Sequence, residues 1–271
     1  MHHSLWVTPS GSVNCLSGTP LLALSISVNT LLSSSIYNEY IWLKLHPVAH
    51  IRLNLSRYET ALRYKKFVAE NKQDVGTSEY VTMMLVNMEN SGLVVFPTHR
   101  IVRDLENFDV NAVIEKSKDY FDIETDLSRT DSTAKLDKAY KDGKKAFVLY
   151  CDGKYTLMTL KDTSLMEKLM PTASKALREL DVSVLHTLVL ERIFGIDKEN
   201  MANQKNLTYT RVLDEAIEAV DNGSADCSFI LNPTRVSEIR DVALAGEKMP
   251  QKSTYFYPKL TTGLVMNKIF D

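Results

Sequence analysis

The feature that most constrains the fold of this chain is a pair of apolar segments joined by a two-residue turn. The segments Lys145-Ala-Phe-Val-Leu-Tyr150 and Tyr155-Thr-Leu-Met-Thr-Leu160 flank the run Cys151-Asp-Gly-Lys154. An Asp-Gly pair supplies the positive φ angles that a tight hairpin turn requires. We therefore predict that the two segments are paired strands of a β-hairpin.

Strand and helix patterns alternate around this hairpin. Further strands are predicted at 79–88, 93–96, 207–210 and 227–231, and helices at 57–70, 111–120, 132–141, 181–194, 211–220 and 236–245. The near-continuous apolar run at 79–88 predicts a strand that is buried on both faces. Alternation at this spacing favours an α/β fold with mixed α+β layers.

Local signals assign the ends of two of these helices. Asp181 is predicted to cap the helix 181–194, Gly195 to end it, and Asn232-Pro-Thr234 to cap the helix 236–245. His186 lies within the first of these helices, where a histidine is most often a hydrogen-bonded core side chain. We therefore assign it no function from the sequence.

The charge composition changes abruptly near residue 57. Residues 1–56 contain only three charged side chains, Glu39, Lys44 and Arg52, whereas about 14 would be expected at the usual charged fraction. From Arg57 onward the composition is ordinary. We therefore divide the chain into an anomalous charge-poor segment, 1–56, which is predicted to be loosely packed, disordered or translated out of frame, and an α/β domain, 57–271.

Composition also narrows the class of partners. A net charge of −2 gives no electrostatic attraction to nucleic acid, and no uninterrupted apolar run reaches membrane-spanning length. Cys15, Cys151 and Cys227 are far apart and lack metal-ligand spacing. We therefore predict reduced thiols, no metal site and a cytoplasmic protein.

The run Met249-Pro-Gln-Lys-Ser-Thr-Tyr-Phe-Tyr-Pro-Lys259 is the most unusual stretch of the chain. Its two prolines fix φ and remove backbone donors, which predicts a constrained loop. Gln251, Lys252, Ser253 and Thr254 offer donors suited to an anionic oxygen, as in common phosphate sites. The alternative is a loop anchored by its aromatic residues, with the lysine and serine facing water.

A second polar cluster follows the predicted strand 93–96. The run Pro97-Thr-His-Arg100 places His99 and Arg100 directly after this apolar strand. α/β proteins tend to place ligand contacts at such strand ends, so both side chains are candidate ligand-binding residues. The alternative is a hydrogen-bonded histidine beside a surface arginine.

Five motifs together resemble a family known as domain of unknown function 1015. They are Arg57-Tyr-Glu-Thr-Ala61, Phe96-Pro-Thr-His-Arg100, Asp181-Val-Ser-Val-Leu-His186, Leu231-Asn-Pro-Thr234 and the run 249–259. The resemblance covers residues 57–271. Members of the family are longer at the N-terminus, so the chain is expected to correspond to the C-terminal part of such a protein.

In that family the residues before the first motif usually read Ala-Asp-Gly-His-His. Such a run is similar to the phosphate-binding motif of ParB/sulfiredoxin-like folds, which include free serine kinases. The resemblance implies a ParB/sulfiredoxin-like element around residues 57–100 and a nucleotide-dependent phosphotransferase acting on a small, serine-like molecule, with ATP or ADP and Mg²⁺. The resemblance places Arg57 in the site, because backbone amides and cationic side chains neutralise phosphate. Glu59 is the acid near enough in sequence to act as a base, and the alternative is a partner in the helix cap.

This chain departs from the family pattern at that point, because Leu53-Asn-Leu-Ser56 stands where Asp-Gly-His-His is expected. Three hypotheses follow: an impaired phosphotransferase, a non-catalytic module that binds a nucleotide or a phosphorylated metabolite, and a truncated, inactive fragment. No catalytic residue is assigned. The predicted phosphate and substrate ligands, expected to converge on one cleft, are Arg57, Glu59, His99, Arg100, Gln251, Lys252, Ser253 and Thr254.

Overall fold

The computed structural model describes the backbone of residues 21–27, 55–71, 80–86 and 92–257, and the side chains of residues 60–71 and 92–257. The chain divides into two compact units. One comprises Met1–Val94 with Tyr257–Asp271, and the other comprises Val95–Phe256.

The first unit contains two paired strands and a helix. Strand β1, Leu21–Ser27, pairs antiparallel with β2, Tyr80–Val86. Helix α1 spans Leu55–Glu70, which confirms the helix predicted from residue 57. Strand β2 confirms the strand predicted at 79–88, whereas the predicted burial of its side chains lies outside the described residues. The prediction that residues 1–56 pack anomalously stays a prediction.

The remaining elements follow in chain order. They are β3 Val94–Phe96, β4 His99–Val102, α2 Val110–Ser117, β5 Phe121–Leu127, α3 Arg129–Lys141, β6 Ala146–Cys151, β7 Lys154–Leu160, α4 Ser164–Leu169, α5 Lys175–Arg178, α6 Asp181–Val184, a π-helix Leu185–Glu191, α7 Lys198–Asn203, β8 Leu207–Thr210, α8 Leu213–Asp221, β9 Cys227–Ile230, α9 Val236–Leu244 and β10 Tyr255–Tyr257.

Six of these strands form one sheet in the order β5-β7-β6-β9-β4-β8. Every pair of neighbouring strands in this sheet runs antiparallel. Strands β3 and β10 form a separate two-stranded sheet. The architecture is therefore a mixture of helices and antiparallel sheets, and the predicted mixed α+β fold class is confirmed.

Helices pack on both faces of the six-stranded sheet. Alternate residues of β6 belong to two different hydrophobic clusters, Phe147 to one and Val148 to the other, because successive strand side chains point to opposite faces. The π-helix residue Leu188 packs in the first cluster, and Leu136 of α3 and Ile217 of α8 pack in the second. All six residues of β6 are buried, as a central strand covered on both faces requires.

Polar caps define several helix starts. Asp109 accepts a hydrogen bond from the Asn111 backbone N–H at 2.9 Å at the start of α2. Ser128 Oγ accepts from the Asp131 backbone N–H at 3.0 Å at the start of α3, and Asp197 Oδ1 accepts from the Asn200 backbone N–H at 2.8 Å at the start of α7. These side chains satisfy amide donors that have no partner within the helix.

The two predicted caps at 181 and 232–234 are wrong. Leu180 occupies the N-cap position of α6 and makes no side-chain cap, so Asp181 is the first helical residue. At α9 the N-cap is Arg235, whose backbone N–H donates to Glu238 Oε2 at 3.0 Å. The polar side chains of both predicted caps instead face residues that are distant in sequence. Asp181 lines a small pocket together with Arg100 and Ser253, and Thr234 Oγ1 donates to the Ser253 carbonyl oxygen.

Two strands also differ from the sequence prediction. Strand β3 was predicted to be buried, but Val94 is 43% exposed and Phe96 is 38% exposed. Strand β5 was not predicted, because Asp122, Glu124 and Asp126 interrupt its apolar residues. It forms the outer edge of the six-stranded sheet, where polar side chains can face solvent at no cost in burial.

The other predicted elements are confirmed, with ends shifted by a few residues, and the helix predicted at 181–194 continues from α6 as a π-helix. Within the described parts of the chain, no helix combines the length and apolarity needed to cross a membrane. Cys151 and Cys227 are free and buried, and burial raises the pKa of the Cys151 thiol to about 12. Both are therefore unreactive thiols at neutral pH. Cys15 lies outside the described residues.

The hairpin between β6 and β7 forms as predicted. Cys151 lies opposite Lys154, and both residues of the turn adopt positive φ, with Asp152 at 50° and Gly153 at 74°. Such angles at both central positions match the twist of the flanking strands. A Cβ atom at Gly153 would meet no atom within 4 Å, so only the backbone conformation requires glycine there.

We expect the substitution Gly153→Ala to lower the free energy of unfolding by about 1–2 kcal/mol, the cost of the left-handed conformation for a residue with a Cβ atom. Asp152→Asn is the matched control, because asparagine tolerates this conformation, and it should change stability by less than about 0.5 kcal/mol. Urea unfolding measures both. Equal stability of Gly153→Ala and the parent chain would contradict the assigned turn.

Candidate functional site

Segments from four distant parts of the chain meet at one small pocket within the unit Val95–Phe256. The residues that line it, here called the motif pocket, are Thr98, Arg100, Asp181, Val182, Leu231, Asn232, Thr234, Glu238 and Ser253. Its free volume is about 10 Å³, which admits a group of roughly the size of one water molecule. All but Glu238 belong to the motifs identified in the sequence.

Arg100 forms one wall of the motif pocket, and it is placed there by strand β4. Its strand neighbours are Tyr209 of β8 and Phe229 of β9. Alternation along β4 turns Arg100 to the same face as Val102, which packs with Phe229 in the hydrophobic core. Only 1% of its surface is exposed. The predicted alternative of a surface arginine is therefore wrong.

The guanidinium of Arg100 is held mainly by backbone carbonyls. Nη1 donates to the Thr98 carbonyl oxygen, and Nη2 donates to the Lys252 carbonyl oxygen at 3.4 Å. The Tyr209 ring centroid lies 5.5 Å from Cζ. Nε is buried and finds no hydrogen-bond partner in the described ranges of the chain. A guanidinium carries five N–H donors. The Thr98 and Lys252 carbonyl oxygens therefore fix its position while other N–H donors remain unused.

Arg100 is also a buried charge. Burial lowers its pKa to about 10, so the side chain remains positively charged at neutral pH. Within the described part of the chain, the charge interaction that opposes this shift comes from Tyr209 and not from a carboxylate. Buried arginines are normally paired with an anion, because an unpaired buried charge is costly. The pocket wall at Arg100 is therefore suited to an anionic group.

Asp181 forms another part of the wall. Its Oδ1 atom is buried and has no hydrogen-bond partner within the described part of the chain. Burial is the largest cause that raises its pKa to about 7, and Lys145 and Arg235 oppose the shift while Glu238 adds to it. A carboxyl group with such a pKa exchanges protons readily at neutral pH.

The charged groups beside Asp181 are already paired. Lys145 Nζ lies 2.9 Å from Glu238 Oε1, and the other oxygen of Glu238 accepts from the Arg235 backbone N–H. The Arg235 guanidinium donates to the Tyr140 carbonyl oxygen and lies 4.1 Å from the Tyr140 ring centroid. Asp181 is thus the pocket carboxyl group with an oxygen, Oδ1, that no described residue engages in a hydrogen bond.

His99 is buried beside Arg100 but does not line the motif pocket. Its Nδ1 accepts a hydrogen bond from the Leu231 backbone N–H at 3.2 Å, which joins β4 to the residues that follow β9. Burial, and then the charge of Arg100, lower its pKa to about 4. A neutral imidazole with Nδ1 as acceptor serves here as a structural link, so the predicted alternative of a hydrogen-bonded histidine describes it.

His186 lies at the start of the π-helix. Burial, and then the charge of Arg100, lower its pKa to about 3. Its Nε2 atom is buried and has no hydrogen-bond partner among the residues that the structure describes, so the expectation of a fully hydrogen-bonded core histidine is wrong there. π-Helical turns are rare and are frequent at functional sites. Here the π-helix covers the sheet face to which Arg100 points.

The run 249–257 contributes to the surroundings of the motif pocket more through its backbone atoms than through its side chains. Gln251 and Lys252 are exposed, and Lys252 has a positive φ of 55°. Ser253 is buried, and its hydroxyl donates to the Pro250 carbonyl oxygen at 2.6 Å. Thr234 Oγ1 donates to the Ser253 carbonyl oxygen at 2.9 Å. These bonds shape the loop around the motif pocket. The hydroxyl oxygen of Ser253 can still accept a hydrogen bond.

The structure therefore brings together some of the predicted site residues. Arg100 and Ser253 line the motif pocket, and Lys252 reaches Arg100 through its carbonyl oxygen. Thr254 is half-buried beside them in sequence, while the last aromatic residues of the loop form β10 rather than an irregular segment. The side chains of Arg57 and Glu59 lie outside the described residues, as do Pro258 and Lys259.

Sequence analysis missed Asp181, Thr98, Asn232, Thr234 and Glu238 as pocket residues. Four of the five stand in the recognised motifs, so motif membership was the available signal. Asp181 and Thr234 were instead interpreted as helix caps. Asn232 Nδ2 donates to the Leu136 carbonyl oxygen at 3.0 Å, which fixes the loop after β9. Among the described residues, no cluster of three or more His, Cys, Asp or Glu side chains could hold a metal ion.

Comparison with known proteins agrees with the recognised motifs. The model of the family described as "Protein of unknown function (DUF1015)" matches residues 57–183. The resemblance stated from the sequence is thereby confirmed for that segment, whereas the last two motifs lie beyond it. No curated protein matches the chain.

Solved structures show distant similarity. A conserved hypothetical protein from Pyrococcus furiosus is 16% identical, with 73% of this chain and 82% of that chain covered and a TM-score of 0.36. A free serine kinase in complex with AMP is 13% identical over 86% of each chain, with a TM-score of 0.41. A mutant free serine kinase in complex with ADP is 11% identical over 86% of this chain and 87% of that chain, with a TM-score of 0.39. The ParB/sulfiredoxin-like element around residues 57–100 stays a prediction, since part of that range is not described.

The two buried histidines predict that the fold loses stability in acid. Each is neutral when folded and is protonated below about pH 6.5 when unfolded, so the unfolded state binds more protons and stability falls as the pH falls from about 6.5 toward 4. Asp181 acts in the opposite sense, because the folded state binds its proton more tightly between about pH 4 and 7. A single variant is needed to separate the two effects.

We expect His186→Met to lose less stability than the parent chain between pH 6.5 and 4. The difference between the two free energies of unfolding should grow toward acid by up to about 3 kcal/mol. Urea unfolding at a series of pH values measures it. Parallel pH profiles of the two proteins would show that His186 titrates normally in the folded state.

Proposed function

We propose that this chain binds a small phosphate-bearing ligand, with the motif pocket as the point that receives an anionic oxygen. The observation that carries the proposal is Arg100, a guanidinium that is 1% exposed and retains its charge at neutral pH. Among the described residues its hydrogen bonds go to backbone carbonyls and not to a carboxylate. A negative charge supplied by a ligand would compensate this buried positive charge. Charge-assisted bonds of this kind are among the stronger hydrogen bonds in proteins.

The size of the motif pocket limits what can enter it. A free volume of about 10 Å³ accommodates one oxygen atom of a ligand and not a nucleotide base or a sugar. The rest of the ligand would then remain outside the pocket. Gln251 and Lys252 are exposed in the loop whose Lys252 carbonyl oxygen reaches Arg100, and their side chains are suited to bind further oxygen atoms of a phosphate. In this proposal His99, Ser253 and Thr254, which were predicted as ligands, shape the strand and the loop instead.

The described residues fit an anion better than Mg²⁺. Magnesium prefers carboxylate and phosphate oxygens in octahedral geometry. Of the two carboxyl groups in the motif pocket, Glu238 is held by Lys145 and by the Arg235 backbone, which leaves Asp181. A metal accompanying a nucleotide would therefore be bound mainly by the ligand, and we assign no reaction step to it.

A phosphotransferase that uses ATP or ADP is the second candidate, because the family resemblance implies it and because Asp181 can take up a proton near neutral pH. Leu53-Asn-Leu-Ser56 replaces the expected Asp-Gly-His-His run, so we expect binding without measurable turnover. Assays of ATP- and ADP-dependent phosphorylation of free serine test this expectation. Restoring Asp-Gly-His-His before Arg57 provides the comparison.

Arg100→Met tests the binding proposal directly. Methionine has a similar length, removes the buried charge and leaves two carbonyl oxygens without their donor. The relief of charge burial and the loss of two hydrogen bonds act in opposite directions, so we expect the variant to fold with a stability within about 2 kcal/mol of the parent chain. Its affinity for inorganic phosphate, ADP or ATP should fall by about a hundredfold or more.

Arg103→Met is the matched control, since Arg103 follows the same strand, is exposed and contacts Asp104 at 3.8 Å. Isothermal titration calorimetry gives the dissociation constants. Thermal unfolding gives an independent measure, because a ligand at a hundred times its dissociation constant stabilises the folded state by about 2.7 kcal/mol. Equal phosphate affinity for the parent chain, Arg100→Met and Arg103→Met would reject the motif pocket as the site.

A further inference from the structure

Three buried side-chain atoms around the guanidinium of Arg100 have no hydrogen-bond partner within the described part of the chain. They are Nε of Arg100 itself, Nε2 of His186 and the hydroxyl oxygen of Tyr209. His186 and Tyr209 do not line the motif pocket, so they stand apart from the proposed contact with phosphate. Buried polar atoms are almost always hydrogen-bonded, because losing water without gaining a partner costs free energy.

The fold places these three groups on one face of the six-stranded sheet. Arg100 of β4 lies directly opposite Tyr209 of β8, so both side chains point to the same face, and Arg100 Cζ lies 5.5 Å from the Tyr209 ring centroid. His186 belongs to the π-helix that covers this face. Ser228, whose hydroxyl is also buried without a described partner, lies opposite Ile101 and therefore on the other face.

The charge of Arg100 acts on both neighbours. Burial, and then the charge of Arg100, lower the pKa of His186 to about 3. Burial raises the pKa of Tyr209, and the charge of Arg100 opposes that shift. Both groups are therefore neutral at neutral pH and lie within the electrostatic reach of one buried cation.

All three atoms can donate a hydrogen bond. The guanidinium Nε and the phenol oxygen each carry a hydrogen, and a neutral imidazole donates through Nε2 when that nitrogen holds its proton. Among the described residues, no carboxylate accepts from the Arg100 guanidinium. Donors grouped beside an uncompensated positive charge are the composition of an anion site.

We infer that Arg100 Nε, His186 Nε2 and the Tyr209 hydroxyl together bind one monoatomic anion of the halide class, such as chloride. Such an ion accepts hydrogen bonds from several directions and neutralises the buried guanidinium. A polyatomic anion is too large, because Leu185, Leu188 and Phe229 fill the same face as fully buried core side chains. This halide site goes beyond the proposed phosphate contact and does not depend on it.

A water molecule is the competing occupant. Water can accept from these donors, but it leaves the charge of Arg100 uncompensated, whereas a halide removes that cost. The two occupants therefore differ in one measurable property, which is the response of the folded state to halide concentration.

Thermal unfolding of the parent chain in sodium chloride, sodium bromide or sodium gluconate, at equal ionic strength, tests for the site. At about ten times its dissociation constant, chloride or bromide should raise Tm by about 3–5 °C over gluconate. Sodium fluoride should give a smaller rise, because the more strongly hydrated fluoride ion is costlier to bury.

Tyr209→Phe separates specific binding from a general salt effect. In gluconate the variant should unfold at the Tm of the parent chain or above it, because it loses only a buried hydroxyl that has no described partner. Its dissociation constant for bromide should rise by about tenfold or more, because one of three donors to an anion is missing. His186→Met should weaken bromide binding similarly.

Tyr150→Phe is the matched control. Its hydroxyl donates to Asp221 Oδ1 at 2.6 Å, and Tyr150 packs in the hydrophobic cluster on the opposite face of the sheet. The variant should lose the same stability in bromide as in gluconate. A bromide effect that is equal in the parent chain, Tyr209→Phe and His186→Met would overturn the halide site.

Bromide-soaked crystals locate the ion directly. An anomalous peak within hydrogen-bond distance of Arg100 Nε, His186 Nε2 and the Tyr209 hydroxyl would support the inference, and a water molecule there with no anomalous signal would overturn it. The outcome is distinguishable from that of the proposed function, since phosphate binding is measured in gluconate without halide. Loss of either activity leaves the other measurement unchanged.

Discussion

The buried guanidinium of Arg100 is the interaction around which the described site is organised. Strand β4 carries it into the sheet between β8 and β9, and its N–H groups hold the carbonyl oxygens of Thr98 and Lys252. A charge in that position must be compensated, and backbone carbonyls compensate only part of it. In the proposed function, an anion in the pocket beside it would gain more than at the protein surface, because the surrounding sheet and π-helix exclude water.

The same burial sets the state of the neighbouring titratable groups. His99 and His186 stay neutral because they are buried and lie near a fixed positive charge. The pKa of Asp181 is raised, which favours its protonated form, because burial outweighs the attraction of Lys145 and Arg235. One electrostatic environment therefore produces a fixed cation, two neutral imidazoles and one carboxyl group that titrates near neutral pH.

Much of the fold could be predicted from local pattern. The β6–β7 hairpin follows from an Asp-Gly pair between apolar runs, and most helices follow from their periodicity and start within a few residues of the predicted positions. The site was only partly predictable. Arg100 and Ser253 were identified as polar residues within motifs, but Asp181 was interpreted as a helix cap because an aspartate before an apolar helix usually is one. Its burial depends on residues far away in sequence, such as Ala146 and Glu238, which no local pattern indicates.

The sequence by itself determined the class of the fold, the hairpin, the match to the family over 57–183 and the identity of the motifs. The tertiary structure alone decided which motif residues share a pocket and which of them are charged at neutral pH. The physical reason is that hydrophobic periodicity and turn chemistry act over a few residues, whereas burial and hydrogen bonding at the site are set by the antiparallel order of six strands. Strand order brings residues 98, 181, 232 and 253 together, and their chemistry follows from that proximity.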